Sequence, residues 1–234
     1  LTCTITSIQL AGTSNNPNVT WSWVGPAGFS STLQNPTATT PGNYSVTVTA
    51  TNGCTSTSGT VVQADIQTPD IVTSVPDQLN CTTTQVSLNA GVQIPGSYTY
   101  QWTTQNGTIL SGAFSQTPTV SSAGVYSVLV TNQVNGCTAS EDVPVTVDSN
   151  TVSGALWTVR DVTCFGKTDG IFAINSVVGG ASPYLYSVDS LPFVTGSFFT
   201  SLAPGQHSLV IQDANGCEWE SVFNVGEPEE LTIK

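Results

Sequence analysis

The chain has 234 residues and a formal net charge of −12, from 3 Lys+Arg against 15 Asp+Glu. That balance argues against nucleic acid as a partner, since phosphate recognition needs clustered Lys and Arg. No apolar run approaches the roughly 18 residues of a membrane span. Only 8% of residues are charged, so hydroxyls and amides must keep the surface wet, while alternating Val, Ile and Tyr point to strands.

In chain order, Cys3 precedes "TITSIQLAG", a strand closing in glycine, and "VTWSWVGP" (19–26) follows with Trp21 and Trp23 on one face. The next strand, "GNYSVTVTATNGC" (42–54), aligns Tyr44, Val46 and Val48 and ends in Asn52-Gly53-Cys54. These features return as Cys81 with "TTTQVSLNAG", "YTYQWTT" (98–104) and "GVYSVLVTNQVNGC" (124–137). They return again as Cys164 with "FGKTDGIFAINSVVGG", "SPYLYSVDS" (182–190) and "GQHSLVIQDANGC" (205–217). A period of about 80 residues means tandem small domains rather than a solenoid. No helical periodicity of useful length interrupts the pattern. The sequence predicts an all-β fold of three tandem immunoglobulin-like antiparallel sandwiches. Their expected bounds are 1–66, 67–150 and 151–228, with 229–234 starting a following repeat.

His207, the only histidine, occupies the slot of Tyr44 and Tyr126 and heads the inward row His207, Leu209, Ile211. It is expected to be structural, with its ring buried as the tyrosine rings would be. The aromatic strands carry the same choice. Buried, Trp23 and Trp102 belong to a core; exposed, they would stack sugars.

Asn52-Gly53, Asn135-Gly136 and Asn215-Gly216 read as type I′ hairpin turns. Each repeat then holds one early and one late cysteine. Repeat symmetry selects Cys3–Cys54, Cys81–Cys137 and Cys164–Cys217 as one disulfide per domain, each closing a loop of roughly 50 residues and contributing about 4 kcal/mol. Zinc would need close-set pairs, which are absent. Disulfides imply an oxidising, extracellular setting. The only lysines are Lys167 and Lys234, so the first two repeats cannot use internal Lys–Asn isopeptide bonds as reinforcement.

Acidic residues number one in 1–66, five in 67–150 and nine in 151–234. The ordinary reading is a solvated surface. The alternative is calcium clamping the joints through Asp65, Asp70, Asp142 and Asp148, with Asp77 nearby. No other cofactor is expected. Catalysis is not expected either: one His, two Lys and one Arg leave few groups for acid–base work. The carboxylate pairs Glu218/Glu220 and Glu229/Glu230 carry no pocket signal.

The third repeat has a more specific signature: Cys164-x-Gly166, Asp169-Gly170, Gly179-Gly180, Pro183-Tyr184, Leu202-x-Pro204-Gly205 and Asp213-x-Asn215-Gly216-Cys217. It resembles the SprB-type repeat of gliding adhesins on Bacteroidetes cell surfaces, most clearly over 155–233, with His207 replacing the usual Tyr. Repeats one and two are similar to generic immunoglobulin-like or PKD-like modules. The resemblance implies a segment of a very long surface protein, exported by the type IX route and serving adhesion or gliding. Its partners would be neighbouring repeats, other surface proteins or polysaccharide. The alternatives are a subunit or spacer of an extracellular filament and a carbohydrate-binding module of a secreted hydrolase. Asp189-Ser190-Leu191 also resembles the O-glycosylation motif of that group, making Ser190 a candidate acceptor.

No signal peptide opens the sequence, so a mature or internal piece of a secreted protein is expected. "TPDIVTSVPDQLN" and "SNTVSGALWTVRDVT" supply a first strand before Cys81 and Cys164, whereas only Leu1 and Thr2 precede Cys3. Leu231-Thr232-Ile233 stands where Ile71-Val72-Thr73 stands. The expectation is a three-repeat window of a continuing array; the alternative is that Leu231–Ile233 completes a neighbouring copy by strand addition.

Overall fold

Residues 1–233 are described by a computed structural model in which apolar alternation has become short antiparallel strands, with one 3₁₀ turn at Pro26–Gly28. The first unit contains β1 (Ile8–Gln9), β2 (Val19–Val24), β3 (Ser30–Ser31), β4 (Thr37–Ala38), β5 (Gly42–Ala50) and β6 (Thr55–Val62). They form a four-stranded sheet, β3-β2-β5-β6, and a two-stranded one, β1-β4. The second unit contains β7 (Ile71–Thr73), β8 (Val86–Ser87), β9 (Ala90–Val92), β10 (Tyr98–Thr104), β11 (Ile109–Ser111), β12 (Thr119–Val120), β13 (Gly124–Asn132) and β14 (Thr138–Val145). Its sheets are β10-β13-β14, β11-β12-β8 and β7-β9. The third unit contains β15 (Val152–Arg160), β16 (Gly170–Gly179), β17 (Leu185–Val188), β18 (Phe198–Leu202), β19 (Gly205–Gln212) and β20 (Glu218–Val225), in sheets β15-β16-β18 and β17-β19-β20.

Each unit buries its own apolar cluster, drawn from more than one sheet. In the first, Trp23, Tyr44 and Val46 meet Leu10 and Ala38. In the second, Trp102, Tyr126, Val128 and Val130 meet Val86 and Val120. In the third, Leu209, Ile211 and Phe223 meet Phe172 and Ile174. Period 2 decides which residues enter: Tyr126, Val128 and Val130 are all buried, while Leu129 between them is exposed.

Trp23 and Trp102 are each 3% exposed, so the aromatic strands supply core. The head of the longest inward row closes a corner in all three units. Tyr44 donates its hydroxyl to Thr40 O at 2.7 Å and Tyr126 donates to Ser122 O at 2.7 Å. His207 Nε2 reaches Ala203 O at 2.8 Å, again four residues upstream. A buried ring tied back to the preceding turn is a recurrent corner in immunoglobulin-like sandwiches. His207 fills it with a second tether, Nδ1 to Asp189 Oδ2 at 2.6 Å, and stacks on Phe223.

The Asn-Gly turns differ from the expected type I′ geometry. Gly53, Gly136 and Gly216 have φ of 86°, 71° and 72°, but the asparagines before them stay at negative φ. The chain is closed instead by side chains: Cys54 N donates to Asn52 Oδ1 at 3.1 Å and Cys137 N to Asn135 Oδ1 at 2.9 Å. In the third unit Asp213 Oδ1 takes the N–H of Cys217 at 2.9 Å. The loops are accordingly longer than two residues and need positive φ only at glycine.

Candidate functional site at the inter-unit junctions

The disulfides correct the sequence-based pairing. Cys3 is bonded to Cys137 and Cys81 to Cys217, each with a Cα separation of 5.0 Å, while Cys54 and Cys164 are free and exposed. The expected bonds Cys3–Cys54, Cys81–Cys137 and Cys164–Cys217, one inside each domain, do not form.

The reason lies in the last strand of each unit. β14 starts directly after Cys137, and its far end lies beside Leu79, which donates to Thr146 O at 3.0 Å and accepts from Asp148 N at 2.7 Å. Cys81 therefore sits one strand length from Cys137. Eight residues at about 3.3 Å each place the two ends roughly 26 Å apart, against the ~4.4–6.8 Å between Cα atoms that a disulfide spans. The first unit repeats this arrangement, with Thr2 bridged to Asp65 beyond β6 and Cys54 before it. So does the third, where Val162 donates to Gly226 O beyond β20 and Cys217 precedes that strand. Early and late cysteines stand at opposite ends of a unit. Only the late cysteine of the next unit comes within reach.

Around each disulfide the same contacts recur. At the first junction Cys3 N donates to Asn135 O at 3.1 Å, and Asn135 Nδ2 donates to Asp65 Oδ1 at 2.8 Å and to Gln67 O at 3.0 Å. At the second, Asn215 Nδ2 donates to Asp148 Oδ2 at 2.6 Å. The turn glycine is pressed by the threonine after the early cysteine: a Cβ on Gly136 would lie 2.3 Å from Thr4 Cγ2, and one on Gly216 would lie 2.3 Å from Thr82 Cγ2. Asn135 is only 1% exposed, which makes its amide bonds obligatory.

The calcium candidates are thus separated. Asp65 and Asp148 serve two different junctions, Asp142 accepts from Ser127 Oγ on β13, and Asp70 lies exposed in the linker. Among the described residues no group of three or more His, Cys, Asp or Glu side chains converges as a metal site. Ser190 is exposed in the turn after β17. No helix of the described residues is long and apolar enough to cross a membrane.

What sequence reasoning missed was the partner of each asparagine amide. The signal was present in Asp65 and Asp148, each three residues beyond the last strand of a unit that precedes an Asn-Gly-Cys turn.

No family model and no curated protein matches the chain. Among solved structures it is similar to the three N-terminal domains of the highly immunogenic outer capsid protein of bacteriophage RB49, at 15% identity and a TM-score of 0.41, covering 95% of this chain and 94% of that one. It is also similar to a structure concerned with host cell surface retention of a 1.5-MDa bacterial ice-binding adhesin, at 14% identity and a TM-score of 0.47, over 95% and 91% of the two chains. Hemolin, an insect immune protein, is similar at 13% identity and a TM-score of 0.28, over 95% of this chain and 71% of that one.

Proposed function

We propose that the chain is a structural, adhesive segment of an extracellular surface protein, built of three immunoglobulin-like domains bounded near residues 66 and 150. The carrying observation is the repeated junction: a disulfide, an asparagine amide bonded to an aspartate of the preceding unit and a pressed glycine join each unit to the next. Two cores joined by one flexible linker would bend; a covalent bond beside the linker adds a second tether and resists bending. That suits a spacer holding a distal binding tip away from the cell. Burial of Trp23 and Trp102 weighs against the carbohydrate-binding alternative, because neither indole offers an open stacking face. The gliding-adhesin part of the proposal, with type IX export, rests on the signature within 155–233.

The test is antibody labelling of intact cells, combined with attachment and gliding assays after deletion of the segment. Surface labelling with loss of attachment or gliding is the expected result. A protein found only inside the cell would overturn the proposal, as would tight polysaccharide binding by the purified chain with attachment unchanged.

A further inference from the structure

The two disulfides overlap along the chain. Cys3–Cys137 spans 134 residues and Cys81–Cys217 spans 136, and the stretch 81–137 lies inside both loops. Cys3 and Cys137 form one covalent node at the first junction, and Cys81 and Cys217 form a second node at the second junction. Three stretches of chain, 3–81, 81–137 and 137–217, each run from one node to the other. They are connected in parallel rather than in series.

The fold adds a second observation: the outer units hang from the nodes. Cys3 N donates to Asn135 O, and Asp65, beyond the last strand of the first unit, accepts the amide of the same Asn135 at 2.8 Å. Chain that enters the first unit at Cys3 therefore leaves beside it. The third unit does the same at the second node, where Asn215, close to Cys217, donates to Asp148 Oδ2 at 2.6 Å. Between the nodes runs β14, which starts directly after Cys137. Its eight residues, at about 3.3 Å each, set the nodes roughly 26 Å apart. Its far end is tied to the chain leading into Cys81, because Leu79 N donates to Thr146 O at 3.0 Å and Asp148 N donates to Leu79 O at 2.7 Å. In the third unit β20 likewise starts directly after Cys217. Tension applied on either side of the segment thus enters at Cys3, crosses to Cys137, follows β14 to the second node and leaves along β20. The core of the first unit lies outside that line, and the third unit contributes only β20 to it.

We infer that the segment is a length-limited tether whose three units resist tension together. The nodes can move apart only if all three stretches lengthen at once. The middle stretch is the body of the second unit. The connection from Asp65 to Cys81, about 16 residues, is taut at roughly 54 Å, and that from Cys137 to Asp148, about 11 residues, at roughly 37 Å, taking ~3.4 Å per residue. Past those lengths the first and third units must open as well. Opening of one unit alone therefore lengthens the chain by no more than this slack. With every unit open, the middle stretch of about 56 residues still holds the nodes within roughly 190 Å. Without the disulfides the chain from Cys3 to Cys217, about 214 residues, would reach roughly 730 Å.

Tension on the segment follows from the spacer reading above, on which the proposal rests; the length limit belongs to the chain itself, so each can fail without the other. The experiment is single-molecule force extension of the full oxidised chain, held by tags at its two ends, with Cys54 and Cys164 blocked by alkylation. Relative to it, the fully extended Cys3→Ser/Cys137→Ser and Cys81→Ser/Cys217→Ser variants should each be longer by about 80 Å, and the variant lacking both bonds by about 540 Å. The parent chain reduced in place should show the same gain of about 540 Å, which separates loss of the bonds from a folding defect of the variants. The oxidised chain should open in one event and the reduced chain in successive single-unit steps. Single-unit steps in the oxidised chain, an oxidised chain as long as the reduced one, or single-pair variants as long as the variant lacking both bonds would each overturn the inference. Surface labelling and attachment would be untouched by that result, leaving the adhesive reading intact.

Discussion

Asn135 belongs to a turn of the second unit, yet its side-chain amide donates to Asp65 Oδ1 at 2.8 Å across the boundary with the first. The asparagine is buried, and its Oδ1 is spent on Cys137 N, so one side chain both shapes its own turn and holds its neighbour. Asn135→Ala removes these bonds and strands the Cys137 N–H. The expected loss is about 1–3 kcal/mol, the usual cost of leaving a buried polar group without its partner. Urea unfolding followed by tryptophan fluorescence checks it. Asp65→Ala and the double variant complete a cycle, and purely additive effects would refute the coupling.

Because both disulfides lie between cores, reduction acts on the joints. None of the three buried clusters includes a cysteine. Cys3→Ser with Cys137→Ser should therefore keep the far-ultraviolet dichroism of the oxidised chain while broadening its small-angle scattering distribution. Thermal unfolding should separate into transitions of individual units as covalent coupling is lost. A cooperative collapse of all β-structure on reduction would mean that the disulfides sustain the cores themselves.

The sequence disclosed the strands and the inward rows because both follow from period 2, which is local. Tyr44, Tyr126 and His207 could be placed together at the head of an inward row on that basis alone, while the corner they close came from the bonds to Thr40 O, Ser122 O and Ala203 O. The cysteine partners could not. Symmetry across repeats is satisfied equally when an early cysteine bonds its own late one and when it bonds that of the next unit. Choosing between them requires knowing that Cys81 lies at one end of β14 and Cys137 at the other. That is a fact of three dimensions, set by where Leu79 pairs. The groove of about 580 Å³ between residues 12–15 and β6, lined in part by Trp21 and Trp23, and the unpartnered Trp23 indole likewise required side-chain positions.

His207 makes the third unit's stability depend on pH. Its two ring nitrogens both face acceptors, Asp189 Oδ2 and Ala203 O, and only the imidazolium donates to both. Burial pushes its pKa down, but the bonds to Ala203 O and Asp189 and the carboxylate's charge outweigh this, leaving it above the ordinary 6.5. A folded pKa above the unfolded one stabilises the fold fully below the unfolded value. The contribution is lost as pH rises through the folded value. The unfolding midpoint of the third unit should therefore fall as pH is raised from below 6.5 to beyond the elevated pKa. His207→Tyr restores the side chain of the other two corners, which does not titrate in this window, and should flatten the response. Fluorescence-detected urea melts across the pH range decide it. An identical slope in the variant would assign the effect to another group.

Gly136 and Gly53 occupy equivalent turns in different surroundings, which makes them a matched pair for weighing the junction. Both have positive φ, so alanine at either costs about 1–2 kcal/mol of backbone strain. Only Gly136 is pressed by a neighbouring unit: its added Cβ would lie 2.3 Å from Thr4 Cγ2, whereas Gly53 has nothing within 4 Å. Thr4 cannot retreat freely, because the adjacent Cys3 is bonded to Cys137 in the same turn. Gly136→Ala should then destabilise the chain more than Gly53→Ala, and the difference should appear as faster reduction of Cys3–Cys137 by a mild thiol. Timed alkylation and mass spectrometry of Gly136→Ala, Gly53→Ala and the parent chain read the reduction rates. Equal reduction rates for Gly136→Ala and the parent chain would show that the turn glycine does not bear on the junction.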